Sequence, residues 1–149
     1  MVDSTRLLGT IIQNYLTWDM NTASLVKKAN GRMELLRRVA SFGTTSKDLR
    51  ELYFIFVRSI LEQSATVWHS SLTQENANDL ERVQKSALRI ILGERYKSYK
   101  EGLAQLEIET LAERREILCL NFALKCVKNE RMKTMLPVNE KFHSMKTSN

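Results

Sequence analysis

Nucleotidyl transfer by two divalent ions needs paired carboxylates, because both metals must clamp the attacking and leaving oxygens together. The aspartates of this chain are Asp3, Asp19, Asp48 and Asp79, each isolated from the others, and no aromatic-x-Asp-Asp segment occurs. Covalent hydrolysis needs a nucleophile, a base and an orienting acid in fixed geometry. His69 stands beside Ser70 and Ser71, but sequence neighbours rarely reach that geometry, and the other histidine is distant His143. The bland reading is an interhelical loop with Trp68 packed and His69 near the surface. Cys119 and Cys126 sit seven residues apart. That is roughly 10 Å along a helix, too far for a disulfide and without zinc-ligand spacing. Gly9, Gly31, Gly43, Gly93 and Gly102 are scattered and build no phosphate loop. The expectation is a chain with no catalytic residues, no metal site and no cofactor of its own.

Charge is the more informative signal. The formal net charge is +6, which favours an anionic partner such as nucleic acid. Arg82, Lys85 and Arg89 are three and four residues apart and share one helix face, opposite a Leu80-Val83-Ala87-Ile90 stripe. Lys27 and Arg38 fall away from the core face of an earlier helix, with Arg37 to one side. Arg95, Lys97 and Lys100 follow in a connection interleaved with Tyr96 and Tyr99, the better candidates for base stacking. Together these side chains could hold the phosphates of a duplex without reading its sequence. The competing reading is an ordinary amphipathic helix, whose outer face is charged in any case.

The elements that must position these residues read as mainly helical. Five glycines and one proline in 149 residues suit a bundle of four to five helices. Arg6 to Ile12 reads as a short strand followed by a turn at Gln13-Asn14. One strand leaves its backbone groups unpaired, so it needs a hairpin mate or a partner from missing sequence, and the missing partner is preferred. A first helix is expected over Asp19 to Ser41 with Val26, Ala29, Met33, Leu36 and Ala40 inward. A second, capped at Thr45 and running to Gln63, carries Leu49, Leu52, Tyr53, Phe56, Val57, Ile60 and Leu61. Thr73 caps a third that stops at Gly93. A shorter helix spans Tyr99 to Leu106, and Thr110 opens a last one with Leu111, Leu118, Phe122 and Cys126 inward. Trp18, Tyr53, Phe54, Phe56 and Phe122 read as core aromatics. The domain is expected to occupy residues 1–130, with 131–149 a flexible tail.

Several phrases, in order, resemble a known family. They are Arg6-Leu7-Leu8-Gly9 with Leu16-Thr17-Trp18, then Lys28-Ala29-Asn30-Gly31-Arg32, Leu36-Arg37-Arg38 and Ser41-Phe42-Gly43. Leu61-Glu62-Gln63-Ser64-Ala65, Val67-Trp68-His69 and Leu80-Glu81-Arg82-Val83-Gln84-Lys85 follow, then Leu111 with Glu113-Arg114-Arg115 and Leu118-Cys119. Over roughly residues 6 to 130 the chain is similar to the segment just after the catalytic palm in reverse transcriptases of non-LTR retrotransposons, the jockey-like and related LINE elements. The resemblance implies a helical thumb that packs beside the palm and holds the primer–template duplex through its backbone. The metal-binding aspartates and their Mg²⁺ would belong to the missing palm, so no catalytic residue is carried over.

The leading expectation is thus a non-catalytic fragment or remnant of an RNA-directed DNA polymerase that retains capacity for an RNA–DNA or DNA duplex. The alternatives are a co-opted helical protein-interaction module and an incomplete gene model of a full polymerase. Other expected partners are the missing palm, or a second copy meeting an exposed apolar surface. Two unpaired cysteines suit a reducing compartment, no apolar run reaches a membrane span, and Met1 to Arg6 carries no signal-peptide core. The expected location is intracellular, nucleus or cytoplasm.

Overall fold

Apolar residues at spacings of three and four build four faces that can be buried only against one another. The computed structural model describes residues 3–134. Helix α1 (Asp19–Ser41) buries Leu25, Ala29, Met33 and Leu36, with Val26 and Ala40 at its margins. Gln13 caps its start, its side-chain oxygen accepting from Met20 N–H at 2.8 Å. Helix α2 begins at Ser46–Tyr53, passes through a π turn at Phe54–Arg58 and ends in Ser59–Leu61. Helix α3 is the single turn Ala65–Trp68, and α4 (Gln74–Leu92) is the central element. Helices α5 (Tyr99–Leu106), α6 (Leu111–Lys128) and α7 (Glu130–Lys133) complete the order. The fold is mainly α, with seven α-helical segments among the described residues where four to five were expected.

Two of the extra segments are single turns. One lies in the expected loop around Trp68. The other, α7, is capped by Asn129 and falls at the start of the expected tail. Residues 135–149 of that tail lie outside the described residues.

The amino-terminal expectation changes. Strands β1 (Ser4–Leu7) and β2 (Thr10–Gln13) pair antiparallel, Leu7 opposite Thr10, so the strand finds its mate in a local hairpin. The turn falls at Leu8-Gly9, not Gln13-Asn14. Both turn residues have positive φ, 48° and 85°, which matches the twist of a two-residue hairpin. Gly9 also lies where an added Cβ would meet Gln63 Nε2 at 2.5 Å. The hairpin is tied down by Ile11 N–H donating to Asn21 Oδ1 at 3.1 Å.

Helices α1 and α4 run side by side in the same direction. Asn76 at the start of α4 donates to Asp19 at the start of α1, 2.8 Å, and Val83 packs near Val26 further along. Trp68 is fully buried, its indole N–H donating to the Gln63 carbonyl at 2.9 Å. Caps follow the sequence: Thr45, Thr73, Ser98 and Thr110 each accept from the backbone N–H three residues on. At Thr110 the box closes, because Glu113 reaches back to Thr110 N–H at 3.0 Å.

Two aromatics expected in the core are on the surface: Phe56 is 39% exposed and Phe122 47%. For Phe56 the cause is the π turn. It takes in one extra residue and keeps Leu49, Tyr53, Val57 and Leu61 inward at steps of four, leaving Phe56 off the buried line. Leu52 and Ile60 are half-buried for the same reason, as is Phe54, which packs 5.8 Å from the Tyr53 ring and 3.9 Å from the Arg58 guanidinium. Phe122 lies on the distal half of α6, where every residue from Leu120 to Lys128 except Cys126 is exposed. Trp18, by contrast, is buried as expected.

The core also holds a polar hub. The Gln84 carboxamide is fully buried; it accepts from Tyr53 Oη at 2.5 Å and donates to Tyr99 Oη and the Glu109 carbonyl, each at 2.9 Å. Replacing Gln84 with Leu should cost about 2–4 kcal/mol, since it orphans a buried hydroxyl and a carbonyl. Tyr53→Phe, which orphans less, should cost less. Urea unfolding of the two variants tests this, and equal small losses would contradict it.

Candidate nucleic-acid interface

The eight basic residues singled out from the sequence lie on three neighbouring parts of the fold. The outer face of α4 carries Arg82, Lys85 and Arg89, with Arg82 and Arg89 exposed and Lys85 half-buried. The chain then turns at Gly93, whose φ of 54° ends the helix, and returns Tyr96 and Tyr99 beneath that face. Lys85 Nζ sits 5.1 Å above the Tyr99 ring and Arg89 Cζ 5.4 Å above the Tyr96 ring. Each ring holds its cation over the surface by attraction to its π face.

Tyr96 and Tyr99, the residues singled out for base stacking, thus each carry a cation at one ring face. Tyr99 is anchored at its hydroxyl, which donates to Glu81 and accepts from Gln84, and its ring is occupied by Lys85. Burial and the Glu81 hydrogen bond push that phenol far above its ordinary range, so it stays protonated and keeps donating. Tyr96 is half-buried and packs beside Gly102, where an added Cβ would meet its ring at 3.4 Å. Both tyrosines are supports for the basic face.

At the carboxyl end of α4, Arg95 and Lys97 flank an open cleft with Ser46, Leu92 and Gln105, of ≈ 460 Å³. Arg95 donates to the Ser46 hydroxyl. Along the other margin, a groove of ≈ 330 Å³ between α1 and α4 is lined by Val26, Asn30, Asp79, Arg82, Val83 and Ser86. Lys27 is exposed beside it, and Arg37 lies two helical turns beyond Asn30 on the same side of α1. Arg38 points further outward.

Not all of this charge is free. Glu34 pairs with both Arg37 and Arg38 at 3.4 Å, and Asp79 pairs with Arg82. All of these pairs are largely exposed, so each contributes little and exchanges readily. Among the described residues, Lys27, Lys85, Arg89, Arg95 and Lys97 have no carboxylate within ion-pair distance. The structure therefore gathers Arg82, Lys85 and Arg89 on the outer face of α4 and sets Arg95 and Lys97 at the cleft beyond its end. It leaves Lys27, Arg37 and Arg38 as a second row on α1.

Sequence reasoning missed the polar residues inside. Arg115 is 2% exposed, with Nε and Nη1 unpaired among the described residues. Gln84 falls four residues after Leu80 and three before Ala87; Arg115 falls four after Leu111 and three before Leu118. A polar residue at a buried phase of a helix was the available signal. A further cleft, ≈ 200 Å³, is lined by Asn78, Glu81, Tyr99, Thr110 and Arg115, and the Glu81 carboxylate makes it a poor seat for phosphate. Among the described residues, no three His, Cys, Asp or Glu side chains come together as a metal-ligand group. No helix described is long and apolar enough to cross a membrane.

Compared with known protein families, with curated proteins and with solved structures, the chain matches none.

His69 is half-buried, with Nδ1 enclosed and without a hydrogen-bond partner among the described residues. Burial, helped by the Arg115 cation and opposed by Glu116, lowers its pKa from the ordinary 6.5. The unfolded chain then binds a proton that the folded protein resists. The His69 contribution is complete above the unfolded value and is lost as pH falls below it. Melting temperature should therefore drop less between neutral and mildly acidic pH in His69→Gln than in the native chain. An identical drop in both would rule the imidazole out as the cause.

Proposed function

We propose that this chain is a non-catalytic, thumb-like helical module that holds a nucleic-acid duplex, RNA–DNA or DNA, by its sugar–phosphate backbone. The observation that carries this reading is the outer face of α4. Arg82, Lys85 and Arg89 lie along one face, two of them held up by tyrosine rings, and Arg95 and Lys97 line a cleft just beyond the end of the helix. A line of cations on a rigid helix meets regularly spaced phosphates without any demand on base identity. The resemblance of its sequence phrases to the post-palm segment of non-LTR retrotransposon reverse transcriptases supports the same reading. On that view the chain is a fragment or remnant of an RNA-directed DNA polymerase, and any Mg²⁺ chemistry belongs to a palm outside this sequence. An incomplete gene model would place the activity in the same larger protein.

Duplex binding read by fluorescence anisotropy tests the proposal. Reversing Arg82, Lys85 and Arg89 to Glu should weaken binding about 10- to 100-fold at low salt, the scale of releasing three phosphates. The slope of log affinity against log salt should become shallower by roughly 0.9 for each phosphate that is no longer neutralised. Unchanged affinity in the triple variant would remove α4 from the interface; no salt-sensitive binding by the native chain would remove the function.

The second reading, a helical protein-interaction module, is favoured by a different surface, the outer side of α6.

A further inference from the structure

Arg115 and Glu81 carry opposite charges, line one cleft, and form no ion pair with each other among the described residues. The cleft, ≈ 200 Å³, opens between the first two turns of α4 and the start of α6, with Tyr99 beside it. Arg115 is 2% exposed, and its Nε and Nη1 have no hydrogen-bond partner among the described residues. A buried charge is tolerated when it is paired, and is strongly unfavourable when it is not. The neighbouring carboxylates leave it unanswered. Glu62 is already shared by Arg58 and Arg114, and Glu116 is exposed.

Glu81 is likewise only half engaged. Its Oε1 accepts from both Tyr99 Oη and Leu111 N–H, the latter at 3.2 Å. Its Oε2 accepts from no group among the described residues. Two hydrogen bonds thus fix the carboxylate and leave one oxygen free. Ala112, which also lines the cleft, is the second residue of α6. Its backbone N–H is one of the donors that a helix start leaves without an internal partner, at the positive end of the helix dipole.

These charges sort ligands by sign. A phosphate or a simple carboxylate is attracted by Arg115 and the start of α6 but repelled by Glu81. A simple ammonium meets the reverse conflict. A molecule with both charges on neighbouring atoms satisfies both walls at once. We propose that this cleft binds a small α-amino acid as its zwitterion, the carboxylate toward Arg115 and Ala112 N–H and the ammonium on Glu81. The modest volume and the short polar side chains of Asn78 and Thr110 suit glycine or serine better than an aromatic amino acid. The cleft is open to solvent, so binding is weak, about millimolar. The site uses none of the basic residues proposed to meet the duplex and does not rest on that reading.

Heteronuclear NMR of the full chain, titrated with L-serine, should give saturable shifts centred on Asn78, Glu81 and Ala112. Acetate and ethylammonium each carry one of the two charges, and each should bind about tenfold more weakly or worse. Arg115 is buried, so the decisive variants lie at the rim. Ala112→Leu, at an exposed helical position, fills the cleft and should weaken L-serine by about tenfold with the melting curve unchanged. Glu81→Gln keeps an acceptor for Tyr99 and Leu111 but loses the charge, so acetate should then bind as well as L-serine. No saturable shift with L-serine, or acetate binding the native chain as tightly, would overturn the proposal. So would undiminished L-serine binding in Ala112→Leu, or a preference for L-serine that survives in Glu81→Gln.

Discussion

A buried carboxamide must find partners for both its oxygen and its nitrogen, or the fold loses several kcal/mol at that point. Gln84 meets this demand by drawing in three separate parts of the chain. Tyr53 comes from α2, Tyr99 from α5, and the Glu109 carbonyl from the segment that leads into α6. Next to it, Glu81 accepts from both Tyr99 Oη and Leu111 N–H, and so ties the first residue of α6 to the same point. Apolar stripes alone could slide by a turn at modest cost. The hub at Gln84 permits one register, and it sets the position of α2, α5 and α6 against α4 together.

The surface follows from this interior arrangement. Because Tyr99 is held at its hydroxyl, its ring has one orientation, and Lys85 lies across it. Arg89 is supported in the same way by Tyr96, whose place is set by the close approach of Gly102 to Leu88. The basic face is thus the outer layer of a stack that begins in the core. Farther along, Glu62 receives both Arg58 at 3.3 Å and Arg114 at 3.1 Å, a latch between the end of α2 and the start of α6. These partly buried pairs matter more to the bundle than the exposed pairs at Glu34 and Asp79.

Periodicity and caps made the long helices legible. Asp19–Ser41 and Tyr99–Leu106 have the expected bounds, and Thr73, Gly93 and Thr110 mark the ends they were read to mark. Local rules failed where tertiary structure chose among permitted conformations. Leu8 is an unusual residue for a left-handed turn position, so Arg6 to Ile12 read as one strand rather than a hairpin. Tyr96 and Tyr99 sit among charges in sequence, and nothing local shows that the chain folds back beneath α4. Buried Arg115 stands between two arginine-and-glutamate neighbours and reads as surface until its phase with Leu111 is counted. That Arg82, Lys85 and Arg89 share a face was legible because a single helix carries them. Their relation to Arg37 and Lys27 depended on α1 and α4 lying side by side.

The wide turn in α2 leaves a mark on how this sequence can change. Its two ends, Leu49 with Tyr53 and Leu61, are each in phase with their own neighbours, and the surplus residue is absorbed between Phe54 and Arg58. A π turn differs from an α turn by one inserted residue. Removing one residue from this stretch would relax it into regular helix and leave both ends facing the core as they do now. A deletion that would scramble any other helix of the bundle is, at this one place, a change of length without a change of phase.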